Sequence, residues 1–144
     1  MIDKLNKLIR INLDAANGYE YAAENIKNDN FRNFLNSYSK RRKGYAHDLG
    51  NEITEMGGDP ELSSTLLGEA HQAFMKIRES VSSGSDHDSA LLDECVRGEG
   101  EALHQYEKVL KLNNLKPELR RMITTQFDKI RAAQSTMAEL GRVV

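Results

Sequence analysis

One cysteine, Cys95, is the whole thiol content of this chain. An intramolecular disulfide is therefore excluded, and a cytoplasmic location is the expectation. Proline occurs twice, tryptophan not at all, and aromatic residues make up only 6% of the sequence. So few breaks and so few bulky strand formers favour long helices. A dominant charge sign is missing too: 20 Lys+Arg stand against 22 Asp+Glu, for a formal charge of −2. Neither a strongly basic nucleic-acid face nor a polyanionic tail fits that balance. Apolar runs last only a few residues, too short to span a bilayer. The opening MIDKLNKLIRINLD has no continuous apolar core and no small-residue cleavage site, so no signal peptide is expected. Strand-type alternation, a fixed-period repeat and a Gly-rich phosphate loop after a strand are likewise missing.

What is present is a helical rhythm. The 144 residues amount to one domain, expected over 1–144, and they divide at sparse breaks into five segments. The first runs from Ile2 to Lys27, with Leu5, Leu8, Ile9, Ala16, Tyr19, Ala23 and Ile26 in one stripe. Asn28-Asp29-Asn30 breaks it, and Asp29 or Asn30 is the expected cap of the next helix. The second, from Phe31 to Met56, is striped by Phe31, Leu35, Tyr38, Tyr45, Leu49, Ile53 and Met56 and closes at Gly57-Gly58. The third, Ser64 to Val81, carries Leu67, Ala70, Phe74, Ile77 and Val81. Asp86 or Asp88 is expected to cap the fourth, which reaches Leu112 with Leu92, Cys95, Ala102, Leu103, Tyr106 and Leu110. Pro117 suits the first turn of the fifth, striped by Leu119, Ile123, Ile130, Ala133, Met137, Leu140 and Val144. Four of these segments match at about 38 Å. They predict an all-α, ferritin-like up-down four-helix bundle, with an additional helix in the long crossover between its second and third helices.

Polar residues on the apolar stripes are the candidate site. Asn12 is centred among Leu5, Leu8, Ala16 and Tyr19; Arg42 keeps step with Leu35, Tyr38, Tyr45 and Leu49. Glu99 keeps step with Leu92, Cys95, Ala102 and Tyr106, and Gln126 with Leu119, Ile123, Ile130 and Ala133. Arg42 and Glu99 each lie about twelve residues down their helices, so they are expected to meet at mid-bundle. His71, on the flank of the Leu67/Phe74 face, and Tyr19 are expected near the same depth, and Gln126 several Å off it. A buried carboxylate needs a partner, and a bidentate Arg42–Glu99 pair is the simplest one. Such a layer has two readings. It fixes helix register, or it lines a polar pocket for a metal or small ligand. The tyrosines of the stripes are core residues whose hydroxyls can satisfy Glu99 or Arg42.

The stretch LGEAHQAFMKIRESVSSGSDHDSALLDECVRGEGEALHQYEKVL resembles DUF2383, a four-helix-bundle family of bacterial type within the ferritin-like group. LNKLIRINLDAANGYEYAAENIKN and NFLNSYSKRRKGYAHDLGNEITEMGGDP fit the same pattern, so the resemblance covers nearly the whole chain. It implies a ferritin-like fold; it does not imply iron chemistry, because fold does not fix function. The residues argue against a di-iron site, which needs a Glu from each of two helices and Glu-x-x-His from each of the others. Glu101-Ala-Leu-His104 has that spelling but faces away from Glu99, and His47 follows Gly44 rather than Glu at the required spacing. Arg42 places a cation where a ligand would stand.

The Lys40-Arg41-Arg42-Lys43 run fans around its helix and makes no flat basic patch. Cys95 lies on an apolar stripe and reads as an inert thiol. The expected role is non-enzymatic, with no cofactor, no nucleic acid and no membrane. The chain is expected to act through self-association, a dimer for instance, or through a protein partner; the resemblance to ferritin-like proteins adds a stress-related setting. The terminal Arg142-Val143-Val144 is one surface that a second subunit could cover. The alternative is a metal or small-ligand site at the Arg42–Glu99–His71 level, with Glu99 and His71 holding iron or zinc.

Overall fold

The computed structural model describes residues 1–62, 76 and 84–142, with side chains at 84–86 left aside. Among these residues four helices carry the fold: α1 (Ile2–Asn25), α2 (Asp29–Glu55), α3 (Gly84–Leu110) and α4 (Pro117–Arg142). There is no strand among the described residues. Of the expected crossover helix over Ser64–Val81 only Lys76 is described, and it is helical; the rest of that segment, His71 included, lies outside the described residues.

Local chemistry sets the ends. Asn28, extended at φ −77° and ψ 123°, caps α2 by accepting from the Asn30 and Phe31 amides at 2.9 and 3.2 Å. The cap therefore falls one residue before Asp29, not on Asp29 or Asn30 as expected, because Asn28 is the last residue with non-helical backbone. At the other end of α2, Gly57 takes φ +82°. Its amide donates to Thr54 O, and the Gly58 amide donates to Ile53 O, both at 3.0 Å. This is a Schellman closure, and glycine is there because a side chain resists that backbone conformation. Neither Asp86 nor Asp88 is a cap, because the chain is already helical at Gly84. The Asp88 side chain has another use: its carboxylate accepts from the Lys27 and Asn28 amides, at 2.7 and 3.0 Å.

That contact fixes the topology. It puts the start of α3 at the same end as the α1–α2 turn. Helices α2 and α3 therefore run the same way, α1 and α4 run opposite to them, and Glu55 and Gly84 lie at opposite ends of the bundle. Residues 59–61 begin the return along α1: the Glu61 amide donates to Asn6 Oδ1 at 2.9 Å, and Arg10 pairs with Glu61 at 3.0 Å. Pro60 and Leu62 cross close over Gly50, where an added Cβ would stand 3.3 and 3.2 Å from them.

The stripes face inward as two apolar clusters. One gathers Leu5, Leu8, Ile9, Leu49, Ile53, Leu103, Leu119 and Ile123 with their neighbours. The other, toward the α1–α2 turn, holds Tyr19, Ala23, Ile26, Phe31, Leu35, Leu91, Leu92, Cys95 and Met137. Between the two lie Asn12, Arg42 and Glu99, all at 1% exposure or less.

Candidate functional site: the polar layer at mid-bundle

Each helix delivers a polar side chain to the level between the clusters. Arg42 Nη1 pairs with Glu99 Oε1, joining α2 to α3. Arg42 Nε donates to Asn12 Oδ1 of α1 at 2.6 Å. Tyr38 Oη donates to the other Glu99 oxygen, also at 2.6 Å. Asn12 Nδ2 donates to Leu8 O at 2.8 Å and lies 2.7 Å from Tyr106 Oη. Tyr106 donates onward to Gln126 Oε1 of α4 at 2.7 Å, and Gln126 Nε2 reaches Tyr45 O at 3.4 Å. The result is one connected path from Glu99 through Arg42, Asn12 and Tyr106 to Gln126. It crosses all four helices, and each link is stronger for being shielded from water.

The electrostatics follow from burial. A guanidinium loses hydration when buried, but Glu99 and the facing Tyr38, Tyr19 and Tyr106 hold the Arg42 pKa above its ordinary value. Burial raises the Tyr38 pKa as well; Arg42 opposes that shift and Glu99 reinforces it. Burial lifts Tyr106 to about 12 despite Arg42 and the Asn12 hydrogen bond. These phenols stay protonated and donate. Cys95 is pushed up by burial, then by Glu99 and Glu94, which leaves its thiol protonated and unreactive.

Of the residues expected here, Arg42, Glu99, Asn12 and Gln126 share the network, with Gln126 one step removed through Tyr106. Tyr19 touches it by its ring, 5.0 Å from Tyr38 between centroids. His104, Glu101 and His47 are exposed. Within the basic run only Arg42 is inside; Lys43 pairs with Glu20, half-buried at the rim.

Three polar partnerships had no signal in the stripes. Asp88 clamps the α1–α2 turn. Arg32 binds Ala23 O and Ile26 O at 3.1 and 2.7 Å, closing the end of α1. Arg120 binds Leu110 O and Leu112 O, both at 2.5 Å, and does the same for α3. Arg32 and Arg120 are each the fourth residue of their helix. Only the folded hairpins reveal that each reaches back to carbonyls its predecessor leaves open.

The donor set does not fit a carboxylate-bridged metal pair. Glu99 is the carboxylate of the layer, both of its oxygens are engaged, and Arg42 stands where a second carboxylate would be. No group of three or more His, Cys, Asp or Glu able to hold a metal ion occurs among the described residues. Two features are left over. Arg42 Nη2 is buried without a hydrogen-bond partner. A cavity of about 340 Å³ lies between α1 and α3, lined in part by Gly18, Tyr19, Cys95, Gly98 and Glu99.

Helix order and polar layer together define an all-α four-helix bundle with a charged pair sealed in its core. The chain belongs to the family described as Domain of unknown function (DUF2383), whose model matches residues 1–112. That stretch takes in α1, α2 and α3 and stops short of α4. No curated protein matches the chain.

Proposed function

We propose that this is a non-enzymatic bundle of the ferritin-like group that works by self-association or by binding a protein partner, with the Arg42–Glu99 layer as its register device. The observation that carries this reading is the saturation of Glu99. One oxygen takes Arg42 and the other takes Tyr38, so the carboxylate has its bonds inside the fold. A misregistered helix would leave a buried charge unpaired, which penalises alternative packings. A cytoplasmic setting agrees with the lone, buried Cys95.

A pair of variants tests it. Glu99→Gln and Arg42→Met each strand a partner, and each should cost about 3–5 kcal/mol in urea unfolding. The double variant Arg42→Met/Glu99→Leu should recover most of that loss, because hydrophobic replacement of a buried pair is often neutral. Sedimentation equilibrium then separates a self-associating chain from one that needs a different partner.

The second reading is a small-ligand or metal site at the same level: the α1–α3 cavity, which Glu99 lines, leaves room for either, and the spare N–H of Arg42 Nη2 favours a hydrogen-bond-accepting ligand over a metal ion. Its metal form requires iron or zinc, measured by mass spectrometry after anaerobic Fe(II) loading and air exposure, to bind stoichiometrically and to be lost in Glu99→Gln. Bound metal together with an unchanged Glu99→Gln stability would replace the first reading with the second.

A further inference from the structure

Helices α2 and α4 leave a groove between them, lined by a different set of residues from the α1–α3 cavity. It has two adjoining halves, about 250 Å³ toward the α1–α2 turn and about 300 Å³ toward the far end. Phe34, Tyr38, Ala132 and Ala133 make the first half largely apolar. Tyr45 and Lys129 line both halves and so mark the middle, where Arg41 joins them. Arg41 and Lys129 are exposed and form no ion pair among the described residues. Tyr45 is only 8% exposed, and its hydroxyl is buried with no hydrogen-bond partner. Burial raises its pKa, with Arg42 and Arg41 opposing and Glu99 and Asp48 reinforcing, so the hydroxyl keeps its proton at neutral pH.

A buried hydroxyl without a partner is uncommon and costs free energy until one arrives. The hydroxyl can donate to an acceptor. Asp48 and Glu118 line only the far half of the groove, whereas Arg41 and Lys129 flank its apolar half and favour a negative acceptor there. Inorganic anions would leave the apolar half of the groove empty. We propose that the α2–α4 groove binds a small organic anion, a carboxylate on an apolar body. The carboxylate sits among Tyr45, Lys129 and Arg41, and the body lies against Phe34, Tyr38, Ala132 and Ala133. Few precisely placed polar groups on a largely apolar wall are the usual composition of a small-molecule site.

The test titrates the full chain with decanoate, and separately with decanol and acetate, by calorimetry and by amide NMR. The expected result is saturable decanoate binding, shifts confined to α2 and α4, and much weaker binding of either half-ligand. Tyr45→Phe, which keeps the ring, should weaken decanoate about tenfold through one lost hydrogen bond to a charged group. Lys129→Ala, at an exposed position, should weaken binding and flatten its salt dependence. Equal binding of decanol, or decanoate affinity unchanged in Lys129→Ala, would overturn the anion assignment. Shifts at Gly18, Tyr19 and Gly98 would move the ligand to the α1–α3 cavity and also overturn it. Binding to phosphatidylglycerol vesicles but not to free decanoate would make the target a lipid surface and reject a small-molecule site.

Discussion

Phenols and the Cys95 thiol are the residues through which pH acts on this core. Tyr106 has its ordinary pKa of 10.0 raised to about 12 by burial, and Tyr38, Tyr19 and Cys95 shift in the same direction. A group raised on folding holds its proton longer in the native state than in the unfolded chain. Its contribution is complete below the unfolded pKa and is lost as pH rises toward the folded one. Stability is therefore expected to hold from neutral pH to about pH 9 and to fall steeply between about pH 10 and pH 12. Urea unfolding on either side of that window checks it; a midpoint independent of pH up to 12 would contradict the burial argument. Tyr106→Phe should soften the alkaline decline and lower stability at neutral pH, since Asn12 and Gln126 both lose a partner. The sequence showed the polar members of the layer as breaks in the stripes at Asn12, Arg42, Glu99 and Gln126. It could not show that Tyr38 takes the second Glu99 oxygen or that Tyr106 bridges to Gln126, because a tyrosine on a stripe reads the same whether or not its hydroxyl is used.

Helix ends are where polar side chains tie one element to the next. Arg120 satisfies two carbonyls at the end of α3, and Asp88 satisfies two amides in the α1–α2 turn. Arg120→Ala is expected to cost about 1–2 kcal/mol. Asp88→Ala is expected to cost about 2–3 kcal/mol, since its carboxylate is buried and accepts twice. Hydrogen exchange is the discriminating readout for Asp88→Ala: the Lys27 and Asn28 amides should exchange faster while amides of the Leu49–Ile53 region stay protected. Uniform acceleration would mean global destabilisation rather than release of one clamp. Helix positions were legible to within a few residues from stripe spacing, Gly57-Gly58 and Pro117. The Asn28 cap and the Asp88 clamp were not, because several polar residues stand at each break and only the chain path decides which one is used.

Across the whole molecule, α4 is the informative element. The family match ends at residue 112, yet α4 places Leu119, Ile123, Ile130 and Met137 in the two clusters and Gln126 in the polar layer. A chain ending after Leu112 should lose near-ultraviolet dichroism and cooperative unfolding while keeping much helix. Sharp, dispersed amide spectra from that chain would show instead that α1 to α3 fold alone. The groove between α2 and α4 gives the second test at this scale, because its proposed occupant bridges the two hairpins and should raise the melting temperature in proportion to its saturation.

The sequence by itself determined that the chain is helical, where the four described helices run, which of their faces are apolar and which polar residues interrupt them. These are one-dimensional properties: spacing against a 3.6-residue turn, and the few residues that break a helix. Tertiary structure alone decided the rest. It put the start of α3 beside the α1–α2 turn, turned four isolated polar residues into one hydrogen-bonded layer, and left Tyr45 Oη without a partner beside a groove. Hydrogen bonds between helices depend on the relative depth and rotation of two rods, and a sequence pattern constrains each rod only about its own axis.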